Sequence, residues 1–250
     1  MTERVRIAML AITKHAAGQV REAGLKMPEA DIIVAEKFAH VMQGLSNKVI
    51  VSSGPLRPQI GDIFARYDQL AFFVSIGAVV RLIAPHLSSK EEDPGVVAVD
   101  DMARFVIPVL SGHLGGANAF AEQLAQILGA TAVLTTASDV ANTLAVDILG
   151  RELGWKLEAP KINITRVSAD VVNEEAIALV QECGSKDWWT RTTPVPKNIH
   201  LFDDFKQVDL ERYKSVLWIT QRDVPEELWQ QLHERLVVYR PPEGQANDQI

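Results

Sequence analysis

Strands alternating with helices through residue 153 predict an α/β fold, a mixed and mostly parallel sheet flanked by helices, followed by a second, smaller α/β domain. Three observations carry this expectation. Apolar runs such as Leu70–Ser75 are continuous rather than alternating, as strands covered on both faces require. Between them, apolar residues recur at helical spacing, as in Phe120, Leu124, Ile127 and Leu128. Composition then shifts after Gly154: all five tryptophans lie at or beyond Trp155, whereas six of the eight phenylalanines precede it, which places a domain boundary there.

In order, Val5–Leu10 reads as a buried first strand, followed by helix-compatible residues from Lys14 to Ala23 with Gly24 as a stop. Asp31–Ala35 is a second strand. Phe38, Val41, Met42 and Leu45, then Leu56, Ile60, Ile63 and Phe64, give two short helical faces separated by a break at Ser52–Pro55. After the strand at Leu70–Ser75, the turn at Gly77 leads into a helix halted by Pro85. Val96–Val99 and Phe105–Leu110 are joined so briefly that they predict an antiparallel hairpin at a sheet edge, and Pro108 favours an edge or a bulge. The helix after the next turn is capped by Gly129. Thr131–Leu134 is a strand, and Thr135–Asp139 supplies N-cap residues for a helix expected to run to Leu153. Beyond it come a helix at Ile162–Val171 and strands at Ala176–Val180, Val216–Ile219 and Leu236–Tyr239. The adjacent Trp188 and Trp189 read as core or interdomain packing ahead of stacking on a flat ligand. The layout is therefore a Rossmann-like N-terminal domain over residues 1–154, a smaller α/β domain over 155–242 and a polar tail over 243–250.

Bulk properties exclude several classes. The net charge of −7 denies nucleic acid a broad electrostatic footprint, so an anionic ligand needs a local site. A single cysteine, Cys183, excludes an internal disulfide and a cysteine metal cluster. The six histidines show neither of the short spacings typical of zinc sites. The apolar run near the N-terminus is too short to span a membrane and lacks a signal-peptide pattern, so the expected location is the cytoplasm.

The stretch with most chemical promise is Ser111–Asn118, where the strand Phe105–Leu110 meets a helix. Gly112, Gly115 and Gly116 allow close approach to the backbone, and a helix N-terminus attracts anions. His113 is the only histidine in a glycine turn and is the first choice for acid–base work, although a plain connection with a surface histidine fits the same residues. Gly77 and Arg81 are expected to lie beside this turn on the strands' carboxyl edge, where Arg81 could clamp a carboxylate or pair with Asp93. Thr135, Thr136 and Asp139 end a third such segment and either contact a ligand or cap a helix. No dinucleotide fingerprint, phosphate-loop lysine or nucleophile elbow is present.

Phe73–Pro85, Lys90 with Asp93 and Pro94, Val96–Asp101, Ser111–Asn118, Thr135–Asp139 and Ala145–Asp147 together resemble, in order, the motifs of the cobalt-precorrin-5A hydrolase family of anaerobic cobalamin biosynthesis. The resemblance implies hydrolysis of a δ-lactone on ring A of a cobalt corrinoid, with release of acetaldehyde and formation of cobalt-precorrin-5B. It implies no cofactor of the protein's own, since cobalt arrives with the substrate. On this reading His113 handles the proton, with Asp100 as its partner. The N–H groups of Gly115 and Gly116 support an oxyanion or a carboxylate, and Gly77, Arg81, Ser111, Gly112, Asn118, Thr135, Thr136 and Asp139 contact the substrate. Family members continue past the region resembling Tyr239–Pro242 into a further C-terminal domain. A separate subunit carrying that domain, or neighbouring pathway enzymes, are thus the expected partners. The alternative function is a non-catalytic corrinoid-binding subunit.

Overall fold

The computed structural model describes residues 5–243, so the tail expected at 243–250 lies, apart from Glu243, outside the described residues. Internal packing divides the chain into two compact units, Met1–Thr135 and Thr136–Ile250. The compositional step at Trp155 therefore falls inside the second unit. The physical reason is that Leu144, Val146 and Leu149 are buried in one cluster with Trp155, Leu179 and Tyr239.

The first unit holds a seven-stranded sheet in the order β3-β2-β1-β4-β5-β6-β7. Its strands are β1 (Ile7–Ala11), β2 (Asp31–Ala35), β3 (Val49–Ser52), β4 (Gln69–Phe72), β5 (Gly95–Val99), β6 (Phe105–Leu110) and β7 (Thr131–Ala132). The first five run parallel; β6 is antiparallel to β5, and β7 is parallel to β6. The expected hairpin is present, with β7 rather than β6 outermost. Pro108 sits where the pairing jumps from Val97↔Pro108 to Val96↔Leu110, the bulge that a missing N–H favours.

Alternate residues of the central strands serve opposite faces. Met9, Ala71, Val97 and Val99 pack under α1 (Lys14–Lys26) and beneath Phe120 and Leu124, which belong to a helix near the C-terminal end of the unit. Ala8, Leu10, Leu70, Phe72, Val96 and Ala98 pack under α2 (Ile60–Arg66) and α3 (Ile76–Ile83). Both faces are dry, which explains the unbroken apolar runs. The C-terminal helix is α4 (Ala117–Leu128), closed by Gly129 at φ 68°.

The second unit carries β8 (Lys156–Glu158), β9 (Ile177–Gln181), β10 (Ile199–Phe202), β11 (Ser215–Ile219) and β12 (Leu236–Arg240) in the order β10-β9-β11-β12-β8. Only β8 is antiparallel to its neighbour. Its helices are α5 (Ala137–Val140), α6 (Lys161–Val172) and α7 (Glu226–Gln231). The expected helix to Leu153 stops at α5. Asn142 and Gly150 adopt left-handed backbone at φ 49° and 70°, so the chain bends and delivers Leu144, Val146 and Leu149 to the core as an irregular segment. Trp188 and Trp189 pack edge to face, their ring centroids 6.2 Å apart, against that core, as the packing alternative expects. No helix among the described residues is long and apolar enough to cross a membrane.

Candidate active site

The glycine turn packs upon itself. Ser111 takes φ 53° and Gly116 φ 78°, so the strand reverses sharply into α4. The Gly116 N–H donates to the His113 carbonyl at 3.0 Å, Ala117 N–H to the Ser111 carbonyl at 3.2 Å and Asn118 N–H to the Gly112 carbonyl at 3.0 Å. The amide expected at Gly116 for an oxyanion is thus already engaged, as are the first two amides of the helix. The glycines serve close packing within the turn: a Cβ on Gly115 would come 2.8 Å from the Ser111 carbonyl, and one on Gly112 would come 2.6 Å from Asn118 Oδ1. Gln69, at the start of β4, donates its amide to the Gly115 carbonyl. Two buried polar atoms here, Gln69 Oε1 and Ser111 Oγ, have no hydrogen-bond partner. His113 is half-buried on this turn.

The turn does not lie where the sequence reading expects it. Because β6 is antiparallel to β5, its carboxyl end sits beside the amino ends of β4 and β5, at Gln69 and Gly95. Gly77 and Arg81 follow the carboxyl end of β4, on the opposite edge of the same sheet. The two turns are not side by side. Arg81 folds back on its own helix, its Nη1 donating to the Gly77 carbonyl at 2.8 Å, while Asp93 accepts from the Ser88 N–H at 2.9 Å.

The same topology removes Asp100 as a partner of His113. Asp100 closes the β5–β6 loop at one end of the hairpin, and the glycine turn leaves the other, roughly 17–20 Å away at about 3.3 Å per residue. Its Oδ1 accepts from the N–H of Arg104 at 2.7 Å and of Phe105 at 2.6 Å, and its Oδ2 from that of Met102 at 3.3 Å. Burial pushes the carboxyl up, but the N–H groups of Phe105, Met102 and Arg104, with the Arg104 charge, more than offset it and hold it below its usual 3.8.

Thr135 ends the first unit on the edge of the glycine turn, since β7 runs parallel to β6. Thr136 and Asp139 belong to the second unit. Thr136 precedes α5, and Asp139 pairs with Arg191 at 3.0 Å. His15 and Asp101, which sequence patterns alone do not pick out, meet at 3.0 Å on the edge occupied by Gly77. Thr13, beside them, is the N-cap of α1 and gives no functional signal in the sequence. Among the described residues, no group of three His, Cys, Asp or Glu side chains could hold a metal ion.

The cobalamin synthesis G N-terminal region matches residues 59–139, and the cobalamin biosynthesis central region matches residues 144–241. A cobalt-precorrin-5A hydrolase of Priestia megaterium is 41% identical over 241 residues, 96% of this chain. The chain carries both of these cobalamin synthesis G regions, in order. A cobalt-precorrin-5A hydrolase of Salmonella typhimurium is 36% identical over 126 residues, half of this chain. The chain spans less than two thirds of these relatives, 64% and 34% of their lengths. A crystal structure of a cobalamin biosynthesis protein G homolog from Sulfolobus solfataricus superposes with a TM-score of 0.49 at 21% identity, covering 94% of this chain and 60% of that one. Within the family, the N-terminal region matched here carries every site residue expected from the sequence, from Gly77 to Asp139.

Proposed function

We propose that the chain acts in the cytoplasm as a cobalt-precorrin-5A hydrolase, opening the ring A δ-lactone of this cobalt corrinoid and releasing acetaldehyde to give cobalt-precorrin-5B. The observation that supports this most strongly is the 41% identity to the Priestia relative of that name, which extends over 96% of this chain and so through both units. Cobalt enters as part of the substrate, and the protein contributes no cofactor. The substrate carries many carboxylates, so Arg81 and the start of α3 suit it. With Asp100 committed to its own loop and the glycine turn on the edge opposite Gly77 and Arg81, His113 is given no part in the chemistry of this reading.

The test is an acetaldehyde assay on the purified chain with cobalt-precorrin-5A, run beside the Priestia relative. Release by the chain alone is the expected result. Tight substrate binding without release would favour the second reading, a corrinoid-binding subunit that needs a partner carrying the remaining part of the relative's length. His113→Ala is expected to leave both kcat and KM within about 3-fold of wild type. A kcat loss of ~10²-fold or more would instead return the proton to His113.

A further inference from the structure

A second titratable cluster stands on the edge opposite the glycine turn. β1 and β4 are hydrogen-bonded neighbours, with Leu10 opposite Phe72. The strand order reverses between them, and the chain leaves β1 for α1 on one face and β4 for α3 on the other. In open α/β sheets such a switch point opens a crevice at the carboxyl ends of the strands. The loop after β5 brings Asp101 to this crevice, reaching past the end of β4 to the β1–α1 loop. Asp101 Oδ2 lies 3.0 Å from His15 Nδ1, and Oδ1 accepts from the Thr13 hydroxyl at 3.3 Å. The Asp101 carbonyl accepts from Gln19 at 2.6 Å. Thr13 also caps α1 by accepting from the Ala16 N–H at 3.2 Å.

We infer that His15 is the general base of the proposed lactone opening and that Asp101 is its positioning residue. The inference rests on that reading of the reaction and names the group that moves its proton. A carboxylate on Nδ1 fixes the proton there and leaves the Nε2 lone pair free to accept one. The geometry suits that role: Asp101 is held by two further contacts, while the His15 side chain remains 65% exposed. An exposed His–carboxylate pair of this kind adds little stability.

The neighbourhood supplies the rest of the chemistry. At the start of α3, Ala78 and Val79 donate to the Ser75 carbonyl, whereas the N–H groups of Ile76 and Gly77 meet no acceptor among the described residues. Arg81 adds positive charge to the same turn through the Gly77 carbonyl. Exposed Ile76, Val80 and Met102 offer apolar surface to a macrocycle. In the reaction, His15 Nε2 takes a proton from water as the water oxygen bonds to the acyl carbon. The Ile76 and Gly77 amides receive the resulting oxyanion. The acyl–oxygen bond of the ring then breaks, and Nε2 returns the proton to the leaving oxygen. One water is consumed, and a carboxyl and a hydroxyl group result.

The experiment compares the wild-type chain with His15→Ala and Asp101→Asn in the acetaldehyde assay. His15→Ala is expected to lose ~10²-fold or more in kcat with KM within about 3-fold, and added imidazole restores part of the rate. Asp101→Asn is expected to lose about 10-fold and to change the His15 tautomer seen in ¹⁵N spectra of histidine-labelled protein. Full activity in His15→Ala, or a loss that imidazole does not repair, overturns the assignment of the base. An unchanged rate and tautomer in Asp101→Asn overturns the positioning role. If the wild-type chain releases no acetaldehyde while the Priestia relative does, the functional reading fails and takes this assignment with it.

Discussion

Asp100 illustrates how a residue's surroundings decide its work. From the sequence, an acid ending an apolar strand is a fair partner for a nearby histidine. In the fold, three backbone N–H groups of its own loop consume its oxygens, and the side chain is 28% exposed. Asp100→Ala should therefore cost about 1–2 kcal/mol of stability at neutral pH, measured by urea unfolding. The folded-state carboxyl is held below its unfolded value. Its contribution is thus present above that value and lost as pH falls through the lowered one. The gap between wild type and variant should close on acidification below the usual 3.8, and a gap constant with pH would contradict this account. His15 makes the complementary point. No motif surrounds it, and only the fold brings Asp101, 86 residues away, to its ring.

At the scale of elements, the glycine turn looked from sequence like a cradle for an anion. Its carbonyls instead take up the turn's own amides, and its glycines let Ser111, Gly95 and Asn118 come close. Gly115→Ala would press a methyl group against the Ser111 carbonyl, a backbone atom that cannot swing aside. We expect a loss of about 2 kcal/mol or more, read as a lower midpoint in denaturant titration. A variant as stable as wild type would mean that the turn can open. Strands buried on both faces were legible as continuous apolar runs. The short strands β3, β8 and β10 were not: they lie at sheet edges, where partial exposure blurs the pattern. The expected long helix to Leu153 failed for a related reason, because apolar residues were present but left-handed turns at Asn142 and Gly150 set their spacing.

At the scale of the whole molecule, charge and topology matter most. On the proposed function, a chain of net charge −7 would repel its polycarboxylate substrate at long range and would attract it only through local groups such as Arg81. Raising ionic strength from about 10 mM to about 150 mM should therefore raise kcat/KM, since the Debye length shrinks to roughly 8 Å and screens the distant repulsion first. A steep fall would imply a basic binding surface.

The sequence by itself determined the α/β class, most of the strands, the hairpin, an edge or a bulge at Pro108 and the resemblance to corrinoid-lactone hydrolases. These depend on local pattern and on motifs in order along the chain. Only the tertiary structure decided which motifs share an edge. One reversed strand, β6, carries the glycine turn to the end of the sheet opposite Gly77 and Arg81, and leaves Asp100 and His15 at the end it vacated. The short connection before β6 already encodes that reversal, but which distant segments then meet at each end, such as His15 and Asp101, is a relation that no single segment encodes.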